Sequence, residues 1–214
     1  MRHECCFVLS GVVAILGAAG LSLRAAEVSP VRESDRTAII VRTYTQPASA
    51  DDVPRARRTA SAILERAGIQ VVWLECALPG EVTPAGACTQ PPRRNELLVR
   101  IMSAGAVDQP IDVNTLGFAI VDLNAATGAL ASVYADRVSV LAQHAGVDEG
   151  ELLGRTIAHE LGHLLLGTNR HAAQGLMRGS WSSEDLRHNR PAQWFFGGKE
   201  SEAMRSGIAS RLRS

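Results

Sequence analysis

The stretch Ala158–Met177, AHELGHLLLGTNRHAAQGLM, limits what this chain can fold into more than any other. Three of its six histidines fall there within thirteen consecutive residues, and the first two flank a glutamate. The segment leading in, DEGELLGRTIAHELGHLLLG, opens on Asp148 with acids in the first turn and closes at Gly167. It sets Leu152, Leu153, Ile157, Leu161, Leu164 and Leu165 at helical spacing. These signals predict one mostly buried helix carrying the histidines on its last turns. His159 and His163 are four residues apart, so their rings project from one face and can both present a nitrogen to a single ion. Glu160 points away from the axis joining them and can reach a metal-bound water without ligating. A third ligand has to come from outside the helix. Gly167 permits a sharp turn, and His171, four residues later, is close enough to swing back. Three neutral imidazoles with an open fourth position form the donor set of a catalytic zinc site, not a structural one. The expectation is one zinc ion on His159, His163 and His171, with Glu160 as the general base. The bare pattern His-Glu-x-x-His also arises by chance, but here it lies on a strongly patterned helix, ends at a glycine and is followed by another histidine.

These residues resemble the zincin metallopeptidases, and among them the metzincins, whose hallmark is His-Glu-x-x-His-x-x-Gly-x-x-His followed by a methionine-containing turn. The matching residues here are His159-Glu160-Leu161-Gly162-His163, then Gly167, His171 and Met177. One extra residue precedes the glycine and another the third histidine, so His171 stands eight positions after His163 instead of six. Glu184 or Asp185, in WSSEDL, is the alternative third ligand if the longer loop hands over that role. The resemblance implies an α+β fold in which a twisted, mixed sheet with one antiparallel edge strand lies over the helix carrying the zinc motif. It also implies that Met177 lies beneath the metal as an apolar floor, and that TLGFAIVDL (Thr115 to Leu123) is the edge strand. There Gly117 and Ala119 would leave room for a substrate backbone, although the strand could equally do no more than cap the sheet.

The rest of the chain is consistent with one catalytic domain. Its 214 residues are 46% hydrophobic, ample for one core, and 22 Lys+Arg balance 22 Asp+Glu. No overall field draws phosphate backbones, so nucleic acid is not expected as a partner. TAIIVRTYT (Thr37 to Thr45) has the β-branched content of a strand. SADDVPRARRTASAILERAG follows with Asp51 and Asp52 as capping acids, Pro54 in the first turn and Gly68 as a stop. IQVVWLE is a second strand, and the strand-helix-strand order favours a parallel pair. ELLVRIMS (Glu96 to Ser103) reads as a third strand, and LASVYADRVSVL as a strand running into a helix. KESEAMRSGIASRLRS places acids early and arginines late with Met204, Ile208 and Leu212 at four-residue spacing, the pattern of a docking helix. Before it, Trp194, Phe195 and Phe196 read as packing residues.

The N-terminus, a short charged lead followed by an apolar run from Cys5 to Leu21 and small residues at Ala25 and Ala26, has the layout of a secretory signal peptide. Residues 1–25 are expected to be removed, leaving 26–214 as the zinc metallopeptidase-like domain, secreted or periplasmic. An uncleaved membrane anchor is the alternative. Cys76 and Cys88 bound a Pro- and Gly-rich loop and are expected to form a disulfide in an oxidising compartment. The function these features imply is an exported zinc-dependent endopeptidase, a monomer acting on peptide or protein substrates through a zinc-bound water and Glu160. A zinc-binding protein without hydrolytic activity and a zinc hydrolase of a non-peptide amide are the competing readings. No tyrosine follows Tyr134, which leaves His188 as the candidate for an auxiliary oxyanion donor.

Overall fold

Five strands and five helices follow one another in a computed structural model that describes residues 37–47, 51–78, 86–106, 112 and 114–213. The segment 1–25, expected to be a signal peptide, lies outside the described residues. Strand β1 spans Thr37–Thr45, helix α1 Val53–Arg66, β2 Ile69–Cys76, β3 Glu96–Met102, β4 Gly117–Asp122 and β5 Thr127–Tyr134. Helices α2 (Ala135–Ala145), α3 (Glu149–Leu166), α4 (Ser183–His188) and α5 (Gly198–Arg213) complete the chain.

The sheet order is β2-β1-β3-β5-β4. β1 pairs in parallel with both β2 and β3, β3 pairs in parallel with β5, and β4 alone runs antiparallel, against β5. A parallel pair needs a crossover, and α1 supplies it between β1 and β2. A tight turn between β4 and β5 suffices for the antiparallel pair. This is the mixed sheet with one antiparallel edge strand that the sequence led us to expect, and TLGFAIVDL does contain that edge.

The central strands bury Ile39, Val41, Leu97, Val99, Ile101, Ala131 and Val133. Burying each such aliphatic side chain contributes on the order of 1.5–3 kcal/mol before chain entropy is counted. Ala56, Ala60, Ile63 and Leu64 of α1 and Leu152, Leu153, Ile157, Leu161 and Leu164 of α3 complete the same core. α3 is therefore buried on nearly every side, enclosed by sheet and helices. Met204 and Ile208 of α5 are buried against this core while Leu212 is 61% exposed, so the docking stripe ends a turn early. The late arginines do more than follow the helix dipole. Arg211 donates to the carbonyls of Leu164 (2.6 Å), near the end of α3, and Gly128 (2.8 Å).

At the N-terminus of α1 the expected cap is altered. Asp52 stands at the cap position but in helical conformation (φ −86°, ψ −15°), and its side chain makes no capping hydrogen bond. Pro54 takes over part of that task by presetting φ in the first turn. One pairing was not foreseen at all. Arg42 of β1 and Glu96 of β3 form an ion pair with both side chains only 3% exposed, and Arg42 also donates to the Gln90 carbonyl (2.6 Å).

Cys76 and Cys88 are disulfide-bonded, with Cα atoms 5.7 Å apart, at the end of β2. A closure of this length stabilises by about 2–3 kcal/mol, chiefly by restricting the unfolded chain. In protein recovered from an oxidising compartment, intact-mass analysis without reductant is expected to find these two cysteines bridged. Two free thiols there would remove the support the bridge lends to export.

Candidate metal centre

Asp148 caps α3 as expected, its carboxylate accepting from the Glu151 amide (2.8 Å). Gly167 ends the helix in the left-handed region at φ 63°, where a side chain is strained. Between these stops the helix delivers His159, Glu160 and His163 into the interior, 7%, 4% and 5% exposed.

Each of the two helical imidazoles is oriented by a backbone carbonyl. His159 Nδ1 lies 2.8 Å from the Leu176 oxygen and His163 Nδ1 2.8 Å from the Thr168 oxygen. A carbonyl only accepts, so both Nδ1 atoms carry the proton and both Nε2 atoms present a bare lone pair. Those Nε2 atoms face one another at 3.0 Å. Two lone pairs so close repel unless a cation lies between or beside them. Carbonyl-anchored imidazoles are also how ligating histidines are fixed in tautomer and orientation.

His171 completes the group. Its ring stacks on His159 (centroids 5.3 Å apart) and meets His163 edge-on (4.9 Å). One ligand atom from each of the three histidines lies within 4.8 Å of the others. The lengthened spacing is taken up before His171, where Gly167 turns the chain, the Thr168 amide donates to the His163 carbonyl (3.3 Å) and the Arg170 amide to the Thr168 hydroxyl (3.2 Å). Beyond His171 a compact turn follows: the Ala172 amide donates to the Met177 carbonyl (2.8 Å), and Gly175 adopts φ 78°. That turn tucks Met177 under the motif helix. A Cβ added to Gly162 would stand 2.6 Å from the Met177 sulfur and 2.7 Å from the Phe196 ring, so only glycine lets this floor approach. The donor set, the fixed tautomers and the convergent lone pairs all fit a zinc ion.

Glu184 and Asp185 are not brought to this group. Glu184 is exposed and, with His188, lines a separate small pocket on α4. Asp185 is occupied by the capping box with Ser182 and by Arg178 at 3.3 Å. His188 is therefore displaced from the role of oxyanion donor, because it lines that small pocket and not the histidine cleft. That short helix was missed from sequence; its Ser182-x-x-Asp185 cap was the available signal.

His159 and His171 open onto a cleft of about 950 Å³ between α2, α3, the start of β4 and residues 178–181. Glu160 lies in its wall beside β4. A Cβ on Gly117 would stand 3.0 Å from Glu160 Oε1 and 2.8 Å from the Ser132 carbonyl, so glycine is what lets the carboxylate sit against the edge strand. Glu160 Oε2 is buried and has no hydrogen-bond partner among the described residues. Burial pushes the Glu160 pKa up to about 8. Burial likewise holds His159 down at about 4, aided by the charges of His163 and His171 and opposed by the Leu176 hydrogen bond. It also lowers the pKa of His163.

These shifts set the pH dependence of the metal-free protein. Folded Glu160 keeps its proton up to about pH 8 whereas an unfolded carboxyl releases it near 4.5, so stability falls as pH rises between those values. His159 and His163 act with opposite sign. Unfolded imidazoles bind protons below about 6.5 while the buried ones resist, so their contribution to stability rises with pH up to that point. Between pH 6.5 and 8 only the Glu160 term remains. Chelated protein is expected to lose about 2 kcal/mol across that interval in urea titrations, and Glu160→Gln to abolish that loss.

The arrangement is a mixed sheet with one antiparallel edge over a buried helix carrying His-Glu-x-x-His and a third histidine beyond a glycine turn, the layout that the resemblance to the zincins implies. No protein-family model matches the chain. No curated protein matches it either. Among solved structures it is similar to an archaemetzincin from Methanopyrus kandleri at 14% identity, covering 84% of this chain and 99% of that one, with a TM-score of 0.48. It is also similar to a zinc-dependent peptidase from Methanocorpusculum labreanum at 15% identity, covering 77% and 99%, with a TM-score of 0.45. Both are likenesses of backbone outline.

Proposed function

We propose that this chain is an exported zinc-dependent endopeptidase, monomeric and acting on peptide or protein substrates. The observation that carries the proposal is the pair of Nε2 lone pairs at 3.0 Å together with a buried Glu160 carboxylate oxygen that has no partner among the described residues, with His159, His171 and Glu160 lining one cleft. His159, His163 and His171 would hold one zinc ion. Bound there, zinc supplies Lewis acidity, making water a nucleophile near neutral pH and polarising a scissile carbonyl.

Glu160 performs the proton transfers, taking a proton from the attacking water and delivering it to the leaving amine. Its burial holds the carboxyl pKa high, and a cation held by the histidines would draw it back toward neutrality, where a base that must also act as an acid works best. β4, which among the described residues pairs on one side only, offers backbone groups against which an extended peptide can pair, with Gly117 holding that strand close to Glu160. The Cys76–Cys88 bridge supports export, since such bonds persist in oxidising compartments.

Zinc-loaded protein lacking residues 1–25 is expected to cleave members of a peptide library and to leave cell-wall amide fragments intact. Cleavage of the fragments alone would favour the hydrolase of a non-peptide amide, and cleavage of neither the zinc-binding protein.

A further inference from the structure

We infer that Trp181 is a positioning residue that fixes the imidazole of His159, and that it does so as the last member of a ring of contacts returning to the helix bearing that histidine. The inference rests on the zinc reading of the histidines. His159 has one directional restraint, the 2.8 Å hydrogen bond from Nδ1 to the Leu176 carbonyl. A ring held by one hydrogen bond can still pivot about it. The Trp181 indole meets the His159 ring at an interplanar angle of 90° with centroids 5.6 Å apart, a wall that blocks this pivot.

Trp181 is held in turn by Trp194, edge-on at 5.5 Å. Above the Trp194 ring lies the Arg155 guanidinium, 4.1 Å from the centroid. Arg155 is 4% exposed, forms an ion pair with Glu151 and donates to Asn189 Oδ1 at 2.7 Å. It also stands one helical turn before His159 on α3, so the path Arg155, Trp194, Trp181, His159 begins and ends on one helix. Neither indole N–H has an acceptor among the described residues. Burying such a donor is unfavourable, so hydrogen bonding is not what places these rings; their faces and edges are. A phenyl ring can supply the same wall, whereas a methyl group cannot.

The test uses protein lacking residues 1–25 with Trp181→Ala and Trp181→Phe. Zinc affinity, read by competition with a chromophoric chelator, is expected to fall at least about tenfold in Trp181→Ala, the scale for loss of a group that orients a ligating histidine. In Trp181→Phe it should stay within about threefold of the parent. In the metal-free proteins, nitrogen-15 spectra should show the His159 Nδ1–H signal sharp in parent and Phe variant and exchange-broadened in the Ala variant. Circular dichroism of the same samples establishes that each variant is folded. Equal zinc affinity in parent and Trp181→Ala, or a Phe variant as weak as Ala, overturns the inference. If the parent binds no zinc, the metal reading fails by itself; an unchanged His159 signal in Trp181→Ala would then still overturn the positioning role, and a broadened one would support it.

Discussion

Glu160→Gln is expected to retain its zinc and its fold while hydrolysis falls by at least about a hundredfold, the usual scale for removing a general base. The substitution preserves side-chain length and hydrogen-bonding reach, and Glu160 is not one of the converging ligand groups. An amide cannot take the proton of water at neutral pH. The fold should tolerate the change well, because in the metal-free protein burial already keeps this carboxyl protonated at pH 7, and a neutral amide replaces a neutral acid. Peptide-library turnover together with zinc content separates this outcome from simple loss of the metal. A Gln variant that hydrolyses as fast as the parent would rule out Glu160 as the base.

His171→Ala should weaken zinc binding by at least about tenfold, with activity partly restored by excess metal, while Glu184→Ala should leave affinity unchanged. The asymmetry follows from the turn after α3. His171 stacks on His159 and meets His163 edge-on, whereas Glu184 is exposed on α4 and lines a different pocket. Because His171 is itself exposed, its removal opens the ligand set without leaving a cavity in the core. Chelator competition on the two variants checks this. The reverse result would mean that the glutamate swings in when metal binds.

Much of this architecture is legible before any coordinates. The motif helix announces itself by Asp148, Gly167 and a run of leucines, since caps and periodicity are local signals. The strand-helix-strand opening is equally local. What stayed hidden depends on contacts between distant positions. Glu96 begins a strand with no local sign of a partner, yet it is buried against Arg42, a pairing only the β1–β3 register creates. Arg155 carries no sequence signal of its partners, yet it is covered by Trp194 and Asn189. Trp181 attracts no notice in sequence, because its partner His159 lies on the far side of the turn that seats Met177. The longer spacing before His171 signals a changed loop, but whether the chain still returns to the helix depends on the backbone of Gly167, Thr168 and Arg170. Asp52 shows the converse: a favourable capping residue is in place, and the local conformation leaves its side chain unused.

The most direct measurement is elemental analysis of purified protein lacking residues 1–25, compared with its His159→Ala and His163→Ala variants. The convergent Nε2 lone pairs predict about one zinc per chain in the parent and little or none in either variant, with all three proteins folded by circular dichroism. Zinc retained in full by both variants, or absent from the folded parent even after incubation with the ion, would contradict a metal centre at these histidines.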